Sequence, residues 1–219
     1  MKKIYAVIKW ILDRFIALIA GILFFPFFLI FALIIKCSSK GPVLFKQKRI
    51  GKNKKPFMIW KFRTMRVDAP HDTPTHMLND PEIYITKIGK FMRKTSIDEL
   101  PQIYNILFGK MSIIGPRPAL WNQTDLISER DKNGVNKLYP GLTGWAQIHG
   151  RDELEISEKV KFDGEYAQKF GLIIDIKSFF GSIKVVFRRE GVVEGGTGNI
   201  DKREKKIEEN SNNENDLVS

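Results

Sequence analysis

The residues best suited to chemistry in this chain are two adjacent carboxylates, Asp98 and Glu99, which directly precede an apolar segment. An ionised carboxylate can attack phosphorus, as in enzymes that form an aspartyl phosphate. Two such anions that meet a phosphorylated substrate need compensating positive charge. Mg²⁺, held by one or two carboxylates and by substrate phosphates, supplies part of it. We therefore predict Asp98 and Glu99 as catalytic residues and as ligands of Mg²⁺.

Arginines would supply the remaining positive charge. Arg93 lies shortly before the two carboxylates, and Arg117 stands between Pro116 and Pro118. The proline rings restrict the backbone and so pre-orient the arginine side chain. Because a guanidinium binds phosphate through two parallel hydrogen bonds, we predict that Arg93 and Arg117 bind substrate phosphate.

The segment around the carboxylates has two structural interpretations. Ser96 and Glu99 have the spacing of a capping box, which begins many helices without any function. Pro101 favours Asp98 as the N-cap instead, because proline is tolerated in the first helical turn. In that arrangement the helix dipole would lower the pKa of Asp98 and keep its carboxylate ionised. Phosphate also binds at such positions.

The elements that must position these residues are short. Two β-prone segments, 43–45 and 57–62, flank a turn-like segment, 51–56. Apolar residues recur at helical spacing from 100 to 107, and Gly109 ends that run. Charged residues predict a helix between 152 and 170. The segment 173–189 is amphipathic, and its apolar face either joins the core or lies in a membrane interface.

The positive charge of the 219-residue chain is concentrated in one block. Eleven basic residues and no acidic residue lie between Lys36 and Arg66, an excess equal to the whole formal net charge of +11. Such an excess predicts an anionic partner. The block directly follows the most apolar segment, which favours a membrane surface over nucleic acid. No helix-turn-helix or base-stacking motif supports nucleic-acid binding.

The apolar segment from Phe15 to Ile35 has 21 residues and no charge. As a straight helix it would be roughly 31 Å long, enough to cross the hydrocarbon core. However, Pro26 in its middle predicts a kink. Basic residues flank both ends, and positive flanks prefer the cytoplasmic side. A bent helix that enters and leaves by one face satisfies both observations, whereas a kinked single span is the alternative.

Other residues that bind metals in proteins are sparse. The single cysteine, Cys37, allows no intramolecular disulfide, which fits a reducing compartment. His71 and His76 lie in a proline-rich polar stretch. Because their spacing matches no common zinc pattern, we expect an exposed loop there rather than a metal site.

Five segments, in order along the chain, carry a resemblance to a known family. They are Lys40–Gly51, the Lys61-Phe62-Arg63-Thr64-Met65 segment, Arg93–Gln102, Gly115-Pro116-Arg117-Pro118 and Pro140–Gln147. Together they resemble the bacterial sugar transferase family, the monotopic polyprenyl-phosphate phosphoglycosyl transferases that initiate capsule, O-antigen and glycoprotein glycan assembly. The resemblance covers roughly residues 13–191 and is to the short, minimal form of the family.

The resemblance implies an α+β fold. A re-entrant membrane helix, broken at Pro26, would occupy residues 1–39. A small, mostly helical cytoplasmic catalytic domain with short strands and amphipathic interfacial helices would follow over 40–190. Independently of the resemblance, the composition of residues 191–219, rich in Gly, Asn, Glu and Lys, predicts a disordered tail. The protein would reside in the bacterial inner (cytoplasmic) membrane, with the catalytic domain on the cytoplasmic face. Many members have serine before the helix-breaking proline; this chain has Phe25, so the geometry of its break departs from that pattern.

The resemblance also implies a reaction. Asp98 would attack the sugar-bearing phosphate of a UDP-sugar, release UMP and form a covalent phosphosugar intermediate. Polyprenyl (undecaprenyl) phosphate would then take the sugar phosphate, in the first membrane step of polysaccharide assembly. Glu99 would bind Mg²⁺ or act as a base.

Further expectations follow from the same likeness. Lys61, Arg63 and Gln147 would add substrate contacts, and the donor would be an N-acetylated deoxy-sugar nucleotide. A homodimer is a further expectation. Two alternatives remain: a membrane-anchored scaffold with an inactive site, and an enzyme that transfers the sugar phosphate directly, without a covalent step.

Overall fold

The computed structural model describes residues 2–70, 80–150 and 154–188, in which helices predominate over a few short strands. The helices are α1 Lys2–Leu23, α2 Phe25–Ser38, α3 Lys87–Lys94, α4 Gln102–Leu107, α5 Thr124–Lys132, α6 Ile156–Gln168 and α7 Leu172–Arg188. The strands are β1 Leu44–Ile50, β2 Pro56–Phe62, β3 Ser112–Ile114 and β4 Gly141–Thr143. This architecture confirms the α+β class. His71, His76 and the predicted tail lie outside the described residues.

Helices α1 and α2 form a bent pair, with a 60° angle between them. The break falls at Phe24, whose N–H still donates to the carbonyl of Ala20 at 2.8 Å. Pro26 lies in the first turn of α2, where its missing N–H costs no helical hydrogen bond. A helix break beside Pro26, predicted from the sequence, is thus confirmed. Within the described ranges, no single helix is long and apolar enough to cross a bilayer, although α1 and α2 together pass by length and composition.

Both arms of the bent pair pack against the rest of the chain. Ala17 of α1 joins a core cluster with Ile103 and Ile106 of α4. Phe28 and Ile35 of α2 join a second cluster that contains Phe62 and Met92. Many of the other apolar side chains of the two arms are exposed. Such a large exposed apolar surface is typical of a lipid or partner contact.

A buried polar network orients α1. Lys9 Nζ lies 2.7 Å from a carboxylate oxygen of Asp175 in α7, and the Tyr5 hydroxyl donates to the same oxygen at 2.6 Å. Asp13 accepts a hydrogen bond from the Ser112 hydroxyl of β3. Lys9 and Asp13 of this apolar helix therefore face protein partners, which fixes the rotation of α1 about its axis.

Strands β1 and β2 form an antiparallel hairpin in which Leu44 lies opposite Phe62 and Ile50 opposite Pro56. Lys52–Lys54 forms the 3₁₀ turn between them. The two predicted β-prone segments are thus strands with a turn between them, although β1 extends well beyond residues 43–45. The hairpin places Lys61, one of the lysines of the basic block, near the end of β2.

Strands β3 and β4 pair in parallel, and glycines make their close approach possible. A Cβ atom added to Gly144 would lie 2.0 Å from the carbonyl oxygen of Gly115, and one on Gly141 would lie 2.1 Å from the Gly115 nitrogen. No other residue type fits such contacts. This packing holds the Pro116-Arg117-Pro118 turn against the segment that leads to Gln147.

Helices α6 and α7 confirm the two helices predicted for the C-terminal half. The predicted apolar face of α7 is exposed: the exposed fractions of Ile176, Phe179 and Phe180 are 46%, 47% and 64%. The opposite face, with Ile174 and Ser178, is buried. The core interpretation of that apolar face is therefore wrong for these side chains, and the exposed face is typical of an interfacial helix.

Candidate active site

Asp98 and Glu99 lie in a separate 3₁₀ turn, Ile97–Glu99, between α3 and α4. Ser96 before it is left-handed (φ 57°) and makes no side-chain capping bond, while α4 has Pro101 at its N-cap position. Both capping predictions are therefore wrong. The left-handed residue turns the chain, so the carboxylates close a turn of their own before α4 begins.

Glu99 forms ion pairs with two of the predicted cationic residues. Its Oε1 atom accepts hydrogen bonds from Lys61 Nζ at 2.7 Å and from Arg117 Nη2 at 2.9 Å. Burial alone would raise the pKa of Glu99, but the charges and hydrogen bonds of Arg117 and Lys61 outweigh it and hold the pKa well below its usual range. Glu99 is therefore ionised, and its two hydrogen bonds connect the 3₁₀ turn to β2 and to the Pro116-Arg117-Pro118 turn.

Asp98 is buried, with 8% of its surface exposed. Burial raises its pKa to about 6, against the opposing effect of Lys61; Glu99 raises it further, and Arg93 and Arg117 oppose the rise. The prediction of a lowered pKa is therefore wrong. Asp98 is not at the end of a long helix, and desolvation raises its pKa by more than the neighbouring cations lower it.

Arg93 reaches the site because α3 packs tightly against the chain that follows β2. A Cβ atom on Gly89 would lie only 2.0 Å from the Thr64 carbonyl oxygen. At this close approach Arg93 Nε donates to Thr64 Oγ1 at 2.9 Å. Arg93 is also near enough to lower the pKa of Asp98. The structure thus brings Asp98, Glu99, Lys61, Arg93 and Arg117 together, as predicted.

Arg63 has a different environment from the other predicted cations. Its guanidinium donates to the Lys40 carbonyl at 2.6 Å and to the Ser39 carbonyl at 2.8 Å. These contacts tie Arg63 to the chain that leaves α2. A structural function is therefore visible for Arg63, while its contact with phosphate stays a prediction.

Gln147 is buried, with 6% exposed. In the part of the chain that the structure describes, neither polar atom of its amide has a hydrogen-bond partner. Unpaired buried amides are rare, because each lost hydrogen bond costs free energy. Such a group suits a contact with a bound ligand, and the substrate contact of Gln147 stays a prediction.

Two cavities flank the carboxylate pair, and both have the size of ligand sites. One, of about 330 Å³, is rich in basic side chains and includes Asp98 in its wall. Its cationic residues are Lys46, Arg49, Lys61, Arg63, Arg66 and Arg93. The other, of about 360 Å³, is mainly aliphatic and includes Glu99, Arg117 and Gln147. We call them the basic cavity and the apolar cavity.

A buried ion pair that the sequence analysis did not single out supports Arg117. Arg130 of α5 donates to one carboxylate oxygen of Asp163 of α6, from Nε at 2.9 Å and from Nη2 at 2.6 Å. Its Nη1 donates to the Arg117 carbonyl at 2.9 Å. Arg130 and Asp163 are 5% and 1% exposed. Nothing in the sequence distinguishes them from the other charges of two polar helices.

The carboxylate pair fits the predicted Mg²⁺. Within the described ranges, no cluster of three or more His, Cys, Asp or Glu side chains could hold a metal ion. Mg²⁺ needs no such cluster, because one or two carboxylates and substrate phosphates suffice. Asp98, in the wall of the basic cavity, and the adjacent Glu99 offer those two carboxylates.

Comparison with known proteins places this site in context. The model of the family described as "Bacterial sugar transferase" matches residues 4–189. UDP-glucose:undecaprenyl-phosphate glucose-1-phosphate transferase of Escherichia coli (strain K12) is 42% identical over 176 residues, which cover 77% of this chain and 38% of that protein.

Two further relatives have a similar identity to this chain but differ in length. UDP-N-acetylgalactosamine-undecaprenyl-phosphate N-acetylgalactosaminephosphotransferase of Aeromonas hydrophila is 38% identical over 84% of this chain and 44% of its own length. The uncharacterized sugar transferase EpsL of Bacillus subtilis (strain 168) is 38% identical over 73% of this chain and 77% of its length. The chain thus spans about two-fifths of the two longer relatives. The match over residues 4–189 confirms the family that the five motifs predicted: this chain belongs to the bacterial sugar transferase family.

Proposed function

We propose that the chain transfers a sugar 1-phosphate from a UDP-sugar to undecaprenyl phosphate and releases UMP. The observation that carries the proposal is the position of Asp98, a buried carboxylate in the wall of a cavity rich in lysine and arginine. That cavity suits the charge of a nucleoside diphosphate. The names of the Escherichia coli and Aeromonas hydrophila relatives describe this reaction with glucose and N-acetylgalactosamine donors.

The proposed chemistry is a double displacement at one phosphorus atom. A carboxylate oxygen of Asp98 attacks the sugar-bearing phosphorus, and the bond to UMP breaks with its electron pair on the departing phosphate oxygen. A phosphate oxygen of undecaprenyl phosphate then attacks the same phosphorus. The bond to Asp98 breaks, which regenerates the carboxylate and yields an undecaprenyl diphosphate sugar.

The cations around Asp98 would stabilise the charge that develops on the transferred group. Arg93 and Arg117 would bind phosphate oxygens, and Lys61 adds a point charge on the side of the basic cavity. The hydrogen bonds from Lys61 and Arg117 to Glu99 preorganise this set, because they fix both cations before substrate binds. Mg²⁺, which Asp98 and Glu99 would hold, neutralises charge between the carboxylates and the diphosphate when bound.

The bent pair α1–α2 would be a re-entrant membrane anchor. Its exposed apolar surface and the basic block that follows it support insertion from one face of the membrane. In this proposal the catalytic domain lies on the cytoplasmic face of the inner membrane, where UDP-sugars are available. The exposed apolar face of α7 would rest in the same interface.

A UMP-release assay over a panel of UDP-sugars tests the proposal. Protein in detergent or nanodiscs is incubated with Mg²⁺ and undecaprenyl phosphate, and the panel includes glucose, N-acetylgalactosamine and N-acetylated deoxy-sugar donors. We expect catalytic UMP release with at least one donor and none with the Asp98→Asn variant. No release with any donor would favour an inactive scaffold, and equal release by the variant would remove Asp98 from the mechanism.

A further inference from the structure

We propose that the apolar cavity binds the isoprenoid chain of the acceptor, while the nucleoside of the donor occupies the basic cavity. This inference rests on the proposed function and assigns its two substrates to the two cavities. The shared phosphate position lies where the cavities meet, at the carboxylate pair, with Asp98 in one wall and Glu99 in the other.

The composition of the apolar cavity argues for a hydrocarbon occupant. Its wall consists largely of aliphatic and aromatic side chains: Leu100, Ile103, Leu142, Ile148, Phe179 and Ile183. A uridine or a sugar placed there would leave polar atoms without partners, which costs free energy for each of them. An isoprenoid chain has no polar atoms to satisfy, and its burial is favourable in proportion to its apolar area.

The charged end of the apolar cavity suits the acceptor's phosphate. Arg117 lies in its wall, as does Gln147, whose buried amide has no hydrogen-bond partner among the described residues. A guanidinium and an amide N–H are both donors for phosphate oxygens. A ligand with an anionic head and a hydrocarbon tail therefore matches the cavity at both ends.

The cavity also opens where such a ligand would arrive. Phe179 and Ile183 of α7 line it and are 47% and 40% exposed, on the same apolar face as Ile176 and Phe180. If that face rests in the membrane interface, a polyprenyl chain can pass from the lipid into the cavity without crossing water.

The geometry of phosphoryl transfer explains why two cavities are needed. Attacking and leaving oxygens lie roughly in line through phosphorus. With Asp98 on one side in both steps, the phosphate of UMP and the phosphate of the acceptor must occupy the same position in turn. Their uridine and isoprenoid parts differ in chemistry, so separate cavities that diverge from one phosphate position can serve both.

The two half-reactions separate the cavities experimentally. Ile183→Trp narrows the apolar cavity, and Phe180→Trp is the matched control on the same helix, since Phe180 is exposed and does not line the cavity. The first assay measures the single-turnover burst of UMP without acceptor. The second measures the KM for undecaprenyl phosphate and for farnesyl phosphate, a short-chain acceptor.

We expect Ile183→Trp to raise the KM for undecaprenyl phosphate by about tenfold or more, the scale of a steric change in an apolar pocket. The KM for farnesyl phosphate should rise less, because its shorter chain fills less of the apolar cavity. The UMP burst should stay within about twofold of wild type, because the donor occupies the other cavity. Phe180→Trp should change none of these. Ile183→Ala, which removes apolar contact without added bulk, should raise the undecaprenyl phosphate KM in the same direction if the tryptophan variant does not fold.

Two results would overturn the assignment. An unchanged KM for undecaprenyl phosphate in both Ile183 variants would mean that another ligand, or the chain's own C-terminal residues, occupies the cavity. A UMP burst that falls in parallel with acceptor use would place the donor there. Absence of a UMP burst in the wild-type protein would instead overturn the proposed function, and this inference with it.

Discussion

Glu99 and Arg117 form a hydrogen-bonded ion pair, with 2.9 Å between Oε1 and Nη2. The arginine comes from a turn held by two prolines, and the carboxylate from the 3₁₀ turn that also carries Asp98. This pair therefore orients a phosphate-binding cation relative to the proposed nucleophile. The orientation of the planar guanidinium should therefore matter for phosphate binding as well as its charge.

Replacing Arg117 tests that geometry. We expect Arg117→Ala to lower kcat/KM for UMP release by about 10²–10³-fold, the scale for one lost donor to developing charge. Arg117→Lys keeps the charge but loses the fork, so it should restore little of the activity. Lys132→Ala is the control, because that exposed lysine forms a surface pair with its helical neighbour Glu129 and does not line either cavity. Full activity of Arg117→Lys would contradict a geometric role.

The rate of UMP release should depend on pH through Asp98. Its pKa is raised to about 6, and only the ionised form can attack phosphorus. At a fixed Mg²⁺ concentration, kcat/KM should therefore fall about tenfold per pH unit below that value and level off above it. A profile that is flat between pH 5 and pH 7 would show that Asp98 does not titrate there or does not react.

Asp98→Asn should stabilise the protein while it abolishes activity. The pKa of Asp98 is raised from 3.8 to about 6, so the folded protein binds the proton more tightly than the unfolded chain. Stability is then lost as pH rises through this window, by up to about 3 kcal/mol. The variant should show a higher Tm than wild type at pH 8 and nearly the same Tm at pH 4. A lower Tm of the variant at pH 8 would contradict the cost of burying this charge.

The ion pair between Arg130 and Asp163 should dominate the stability of the region behind the site. Asp163→Ala leaves the buried Arg130 charge without its partner, so we expect a loss of about 3–5 kcal/mol. Because Arg130 also binds the Arg117 carbonyl, activity should fall as well. Asp131→Ala removes an exposed pair with Lys54 and a hydrogen bond from Asn136, and should lower the stability far less, because an exposed ion pair contributes little. Thermal unfolding in detergent compares the two variants.

Cysteine labelling tests the re-entrant arrangement. Cys37 is the only cysteine and is exposed at the end of α2. A Lys3→Cys variant in a Cys37→Ser background reports on the other end of the pair. An impermeant maleimide should label both positions in inverted vesicles and neither in intact spheroplasts. Labelling of position 3 from the outside would indicate a kinked span instead.

Much of the fold is visible in the sequence because it depends on local signals. The hairpin follows from two β-prone segments around a turn, and the helix break from Pro26 in an apolar run. The apolar periodicity of α4 and α7 likewise predicted helices at nearly the observed positions. The apolar face of α7 was predicted as well. Whether that face joins the core or is exposed depends on which segments pack beside it, and the sequence does not show this.

The details of the site depend on contacts between distant segments. Sequence spacing indicated that Asp98, Glu99, Arg93 and Arg117 act together, yet it predicted a helix N-terminus around the carboxylates. In the observed turn Ser96 is left-handed, and Lys61 and Arg117 donate hydrogen bonds to Glu99. Neither can be deduced from local propensity. The raised pKa of Asp98 has the same origin, because burial is set by the tertiary structure.

The most direct test of the proposed mechanism is the mass of the protein after incubation with its UDP-sugar and Mg²⁺ in the absence of acceptor. The proposal predicts one added sugar phosphate per chain, located by peptide mapping to Asp98 and removed by undecaprenyl phosphate. It also predicts stoichiometric UMP in the supernatant. An adduct on another residue, or multiple turnover by a protein that never carries an adduct, would contradict it.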